Sequence, residues 1–268
     1  MVAAFDFVGE GADILCHDQP IVASAPSPSS SGGARSAILI AAAIYFVVSA
    51  WVPFGGTLLY PLTLFTTWVH EMGHGRTALI CGGGFLEPVI NSNAGGFARA
   101  GAAPGWPDAM VAAGGLLAPP LLGAVILATV HGPKRARWFL GALSIGIVVS
   151  LVLYVRSSTG ILAMSAVAIA LGWATWLGFK ERPERRVMLA QLLAVILAVD
   201  TLTRMVGYAF MGSLSTGETS DVGHISENLG GHYKLWGLVI TAIALAMLAF
   251  GVWIAWRKPR VKSAKGAP

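Results

Sequence analysis

Apolar residues in this chain run in long uninterrupted stretches, not in the alternation of a half-buried strand or the spaced stripe of a surface helix. A helix needs about 20 residues to cross ~30 Å of hydrocarbon, and from Ser36 onward stretches of that order recur at 37–54, 58–80, 108–131, 136–155, 159–179, 187–212 and 235–256. They predict an all-α, polytopic integral membrane protein with about seven transmembrane helices, or six and a re-entrant segment. The first stretch is short and stops at Pro53. The third carries Pro119-Pro120, where a kink or break is expected because proline lacks an N–H and crowds the preceding turn. Between the second and third, the Gly-rich stretch from Gly82 to Gly96 fits a re-entrant loop or short hairpin, whose Val89-Ile90 could present backbone to an extended peptide, and fits a plain flexible loop as well.

Composition agrees with the pattern. Of 268 residues, 55% are hydrophobic and 12% charged, where a soluble domain carries about 25% charged, and mean hydropathy is +0.70. The polar positions divide the chain into a tail over 1–36, a multi-span membrane domain over 37–256 and a basic tail over 257–268. Residues 1–36 hold four acids, one arginine and no lysine, then a Ser/Pro/Gly run. That is the composition of a disordered tail and lacks the basic start of a secretory signal peptide. Cys16 and Cys81, the two cysteines, have no CxxC spacing and make no disulfide framework.

The net charge of +5 does not point to nucleic acid, because the basic residues are neither gathered on one face nor interleaved with aromatics. They lie in alternate loops, as the positive-inside rule requires of a membrane protein. One side collects Lys134, Arg135 and Arg137, then Lys180, Arg182, Arg185 and Arg186, then the five basic residues of the C-terminal tail. The other side holds Arg35, Arg99, Arg156 and Lys234. The expectation is a multi-pass protein with a cytoplasmic C-terminus, in the plasma membrane if the host is bacterial, with the lipid bilayer and a membrane protein or peptide as its partners.

Ionisable groups inside an apolar span each cost at least a few kcal/mol unless paired or ligated, so the few that remain mark function. The second span carries His70, Glu71, His74 and, near its end, Arg76; the sixth carries Asp200 and Arg204. His70-Glu71-Met72-Gly73-His74 is an H-E-x-x-H pattern. Four residues turn a helix through about 400°, which stacks the two imidazoles on one face where both reach one ion. Zinc suits imidazole, and a catalytic zinc keeps one position open for a water whose proton the ion makes easier to remove. Glu71, beside the first ligand, is the candidate base for that proton. Gly73 would allow a second backbone to approach closely.

A catalytic zinc wants a third protein ligand. Asp200 lies about 20 Å into the sixth span and His70 about 18 Å into the second, by the rise of a helix, and both spans enter from the same side. Asp200 is therefore favoured, with an ion pair to Arg204 as its ordinary alternative. Asp221, in Ser220-Asp221-Val222-Gly223, is the rival ligand, with helix capping as its alternative role. His17, His131, His224 and His232 read as solvated residues.

The H-E-x-x-H helix, the Gly82-Gly83 turn and the Gly95-Gly96 pair together resemble the site-2-protease-like intramembrane zinc metallopeptidases. Ala113-Gly114, Asp200 in a late span, and Ser220-Asp221 followed by Trp236 extend the resemblance over roughly 58–240, to a compact branch in which no polar loop is long enough for a PDZ domain. The resemblance implies a zinc endopeptidase that cuts membrane protein substrates, with His70, His74 and Asp200 as metal ligands and Glu71 as catalytic base. Better-known members carry an Asn-Pro-Asp-Gly type of motif at the third ligand. Here the context is Ala198-Val199-Asp200-Thr201-Leu202, which leaves Asn91, Asn93 or Arg204 to stabilise an oxyanion. Two other classes fit the same residues: a metal- or proton-translocating protein, and an inactive relative that binds membrane proteins. The first needs a ladder of polar residues through the bilayer. The first, fourth, fifth and seventh spans carry no ionisable group in their interiors.

Overall fold

The computed structural model describes residues 44–45, 47–48, 52–208, 212 and 219–257. Among them, seven α-helices and one hairpin succeed one another: α1 (Gly55–Ile80), β1 (Gly84–Ile90), β2 (Gly96–Gly101), α2 (Trp106–Thr129), α3 (Pro133–Leu153), α4 (Ser158–Trp173), α5 (Glu184–Tyr208), α6 (Asp221–Leu229) and α7 (Tyr233–Trp256). A single π-helical turn, Ala174–Gly178, extends α4. The carbonyl of Ala174 there accepts from Nε of the buried Arg186 at 3.0 Å.

Among the described residues, five helices are long and apolar enough to cross a membrane: Trp106–Thr129, Pro133–Leu153, Ser158–Gly178, Glu184–Arg204 and Tyr233–Trp256. They coincide with five of the expected spans. The expected span at 58–80 corresponds to α1, whose interior is more polar. Most of the expected first span, and nearly all of both tails, lie outside the described residues, so the count of seven is not reached among them. The surface is apolar where it would meet lipid: Leu162 is 76% exposed and Ile169 71% exposed, whereas Thr66, Thr67, Glu71 and Asp200 are buried. This inversion of the soluble pattern is that of a multi-pass membrane protein.

Two local expectations change. α2 runs on through Pro119 and Pro120 without a break. Both prolines are buried and the helix packs against α1, α5, α6 and α7, which hold it helical despite the lost N–H groups. The all-α class also gives way to a mostly helical fold with one antiparallel hairpin. β1 pairs with β2 from Gly84 opposite Gly101 to Ile90 opposite Gly96, with an irregularity between Phe85 and Glu87.

The hairpin is aimed by the end of α1. Gly82 adopts φ 75, the left-handed conformation that glycine takes at least cost. Its N–H donates to Leu79 O at 3.2 Å, and that of Gly83 to Ala78 O at 2.8 Å, which closes the helix and turns the chain back along it. Side chains of α1 then hold the hairpin tip: Tyr60 Oη donates to Ser92 O at 2.9 Å and Thr67 Oγ1 to Ala94 O at 2.8 Å.

α1 and α2 meet through glycine. A Cβ on Gly73 would lie 2.6 Å from Ala118 Cβ and would also meet the Gly114 carbonyl, and one on Gly114 would overlap the Thr77 side chain. The close approach expected at Gly73 is thus made by the backbone of α2. It brings the first half of α2 within reach of the histidine face.

Candidate metal centre

On α1, His70 and His74 stack as their spacing predicts, with ring centroids 4.7 Å apart and Nε2 atoms 3.1 Å apart. His74 Nδ1 lies 2.8 Å from the carbonyl oxygen of Val111 on α2. A carbonyl only accepts, so Nδ1 carries the hydrogen and the Nε2 of a neutral ring is left with its lone pair toward His70. Room for this imidazole exists because Gly115 has no side chain; a Cβ there would overlap the ring.

The carboxylate that arrives is that of Asp221. Its Oδ2 lies 3.1 Å from His70 Nε2 and its Oδ1 3.4 Å from His74 Nε2. One ligand atom from each of these three residues falls within 4.8 Å of the others. Asp221 opens α6, directly after Ser220, whose Oγ accepts from Gly223 N–H at 3.2 Å. Burial opposes ionisation of Asp221, but the imidazoles of His74 and His70 overcome it and hold the carboxyl below the usual carboxylate range.

Asp200, favoured on depth, does not join this group. Its Oδ2 accepts from Arg204 Nε at 2.8 Å, the ion pair foreseen as its alternative. Depth along a helix does not specify which way a side chain faces. On α5, Asp200 borders the same cavity as the histidines but gives its carboxylate to the next turn of its own helix, and Arg204 donates onward from Nη2 to Thr67 Oγ1 at 2.9 Å. Arg76 is exposed at the end of α1. Asn91 and Asn93 are exposed in the hairpin turn, where Asn93 Oδ1 accepts from Gly95 N–H at 3.0 Å.

Glu71 is 4% exposed. It lines, with His70, His74, Asp221 and Arg204, a cavity of about 810 Å³ that β2 and α2 also border. At its edge, Gly96 sits so close that a Cβ would lie 2.8 Å from Glu71 Oε1 and 2.8 Å from Thr67 Cγ2. The strand facing this cavity is β2, through Gly96, Phe97, Ala98 and Ala100; the Val89-Ile90 stretch of β1 does not line it, and Ile90 is buried. His224 also borders the cavity, with Nδ1 3.6 Å from Glu227, while His232 caps α7 and His131 is exposed.

Two imidazoles in one helical turn, a converging carboxylate and a carbonyl that orients one ring form a donor set that could hold a divalent ion with a position to spare. The sequence matches the Peptidase M50B-like family, of the site-2-protease type, over residues 37–251. The chain belongs to that family. No curated protein and no solved structure matches it.

For this M50B-like chain the family and the fold agree on a multi-pass membrane protein of metallopeptidase type. Asp221 is legible in the sequence as the rival ligand, although its polar surroundings also suit a solvated loop acid. The orienting Val111 carbonyl and the Gly96 contact are not evident in the linear order of residues, since Val111 contributes backbone, which no side-chain pattern reveals. The signals that did exist were Ser220-Asp221 as a helix start and the unusual run of glycines at 114 and 115.

Proposed function

We propose that this protein is a membrane-embedded zinc endopeptidase that hydrolyses peptide bonds of membrane protein substrates. The observation that carries the reading is the convergence of His70, His74 and Asp221 within 4.8 Å, beside a buried Glu71 that opens onto the same cavity. His70, His74 and Asp221 would hold the ion, with Asp221 in the place for which Asp200 was the first expectation. Zinc bound there would supply Lewis acidity, acidifying water and polarising a carbonyl.

The chain's own residues account for the rest. Glu71 would take a proton from water at a carboxylate oxygen and return it to the leaving amine. Gly96, pressed against it, limits where that carboxylate can swing and keeps the base beside the metal face. Among the described residues β2 pairs with β1 in a two-stranded sheet, and it borders the cavity. It therefore offers backbone to a substrate that has been drawn into extended form. A transmembrane helix must give up its internal hydrogen bonds before any peptide bond can be attacked, and strand pairing replaces some of them. Arg204 lines the cavity and would oppose negative charge developing there. The loop charges support a cytoplasmic C-terminus.

The test is purification in detergent followed by metal analysis and cleavage of a membrane-anchored peptide. Close to one zinc per chain is expected, and Glu71→Gln should keep the metal and lose cleavage. Undiminished cleavage by Glu71→Gln would overturn the mechanism.

A further inference from the structure

Asp221 comes to the histidines on a helix of nine residues, Asp221–Leu229. A helix this short is marginal by itself, so its position is set by what holds it. Its apolar face does part of this: Ile225 packs with Ala109 and Ala112 of α2 and with Ile240 and Ala244 of α7. Apolar contacts of this kind are non-directional and resist separation more than sliding. Register has to come from groups with direction.

One side chain supplies them. Asn228 Oδ1 accepts from Gly105 N–H at 2.7 Å, and Asn228 Nδ2 donates to Asp108 Oδ2 at 3.1 Å and to His224 O at 3.0 Å. The other oxygen of Asp108 accepts from Ala102 N–H at 3.4 Å. Both ends of the amide are used, and the orientation is dictated because Gly105 N–H can only face an oxygen. Asn228 lies seven residues from Asp221, two helical turns or about 10 Å, which puts both on one face of α6. On α2, Asp108 and Val111 are three residues apart and so lie on neighbouring turns of one face. Val111 O is the group that orients His74. One stretch of α2 thus indexes two of the converging side chains: His74 directly, and Asp221 through Asn228.

We infer that Asn228, clamped to Asp108 and Gly105, is a positioning residue that sets the register of α6 and thereby delivers Asp221 to the metal. The inference rests on the metal-centre reading above. Displacement of α6 along α2 would carry Asp221 away from His70 and His74 while leaving the apolar contacts of Ile225 largely in place. Groups that orient metal ligands typically contribute 10–100-fold to metal affinity.

The experiment is zinc affinity, by competition with a chromophoric chelator, on the full chain in detergent. Asn228→Asp keeps the acceptor for Gly105 but replaces the donor to Asp108 with a second carboxylate; zinc affinity should fall about tenfold or more. The exchange Asp108→Asn with Asn228→Asp rebuilds the contact between the two side chains with donor and acceptor reversed and keeps the acceptors for Gly105 and Ala102, giving up only the donation to His224 O within α6, and should restore affinity to within about threefold, well inside the effect expected of a ligand-orienting contact. Near-ultraviolet circular dichroism of the single variant should match wild type. Wild-type affinity in Asn228→Asp would overturn the inference alone, as would failure of the exchange to restore it. Loss of folded structure in the single variant would also overturn it, in favour of plain scaffolding. A wild-type chain that bound no zinc would overturn the metal-centre reading, and this inference with it.

Discussion

The imidazole of His74 occupies the space that a side chain on Gly115 would fill. The two residues lie on different helices, so the site depends on an absence in α2 as much as on a ligand in α1. Gly115→Ala should push the ring off the Val111 carbonyl and away from Asp221. Overpacking of this kind costs about 1–3 kcal/mol, and zinc retained after dialysis should drop well below that of wild type while the helical content by circular dichroism is unchanged.

The two aspartates are separable. Asp221→Asn removes the carboxylate that faces both histidines, and zinc stoichiometry should collapse. Asp200→Asn should keep the metal. It leaves Arg204 without its charged partner, and because that pair is only part-buried the cost falls below the roughly 3–5 kcal/mol of a fully buried one, so its signature is a modestly lower thermal midpoint with zinc still bound.

Gly96→Val places branched carbon where Glu71 Oε1, Thr67 Cγ2 and the Val89 carbonyl now stand within 2.9 Å. The expected outcome is a protein that binds zinc normally and cleaves about 100-fold more slowly, the lower end of what a general base contributes. Zinc analysis paired with a cleavage assay reads both halves.

Acid should strip the metal. Imidazole ligates only when neutral and carboxylate only when ionised, so binding is proton-linked. The imidazoles beside Asp221 keep its carboxyl charged well into acid, so protons and the ion compete for the imidazole lone pairs. Zinc affinity, followed by chelator competition from neutral pH downward, should fall with a slope approaching two protons per ion. A slope near zero would count against imidazole ligation.

Much of this arrangement is readable from residue order, and the part that is not has a common cause. The long helices follow from uninterrupted apolar runs, since in lipid a backbone must satisfy its own hydrogen bonds. The stacking of His70 and His74 follows from a spacing of four. Choosing between Asp200 and Asp221 required azimuth as well as depth: a rise per residue gives height in the bilayer but not the direction in which α5 presents its acid. Asp221 reaches the site on a short helix docked against α2, a tertiary fact with no periodic trace. Likewise Pro119 and Pro120 signal a break by local rules, and only the helices packed around α2 explain why there is none.

The glycine seam between α1 and α2 has a further consequence for the mechanics of the cavity. Where Gly73 meets the Gly114 carbonyl and Ala118, backbone rests on backbone with no clearance left to open, so this wall of the cleft behaves as one solid piece. That unit carries both histidines and the Val111 carbonyl that orients one of them, so the face they form keeps its shape when its surroundings shift.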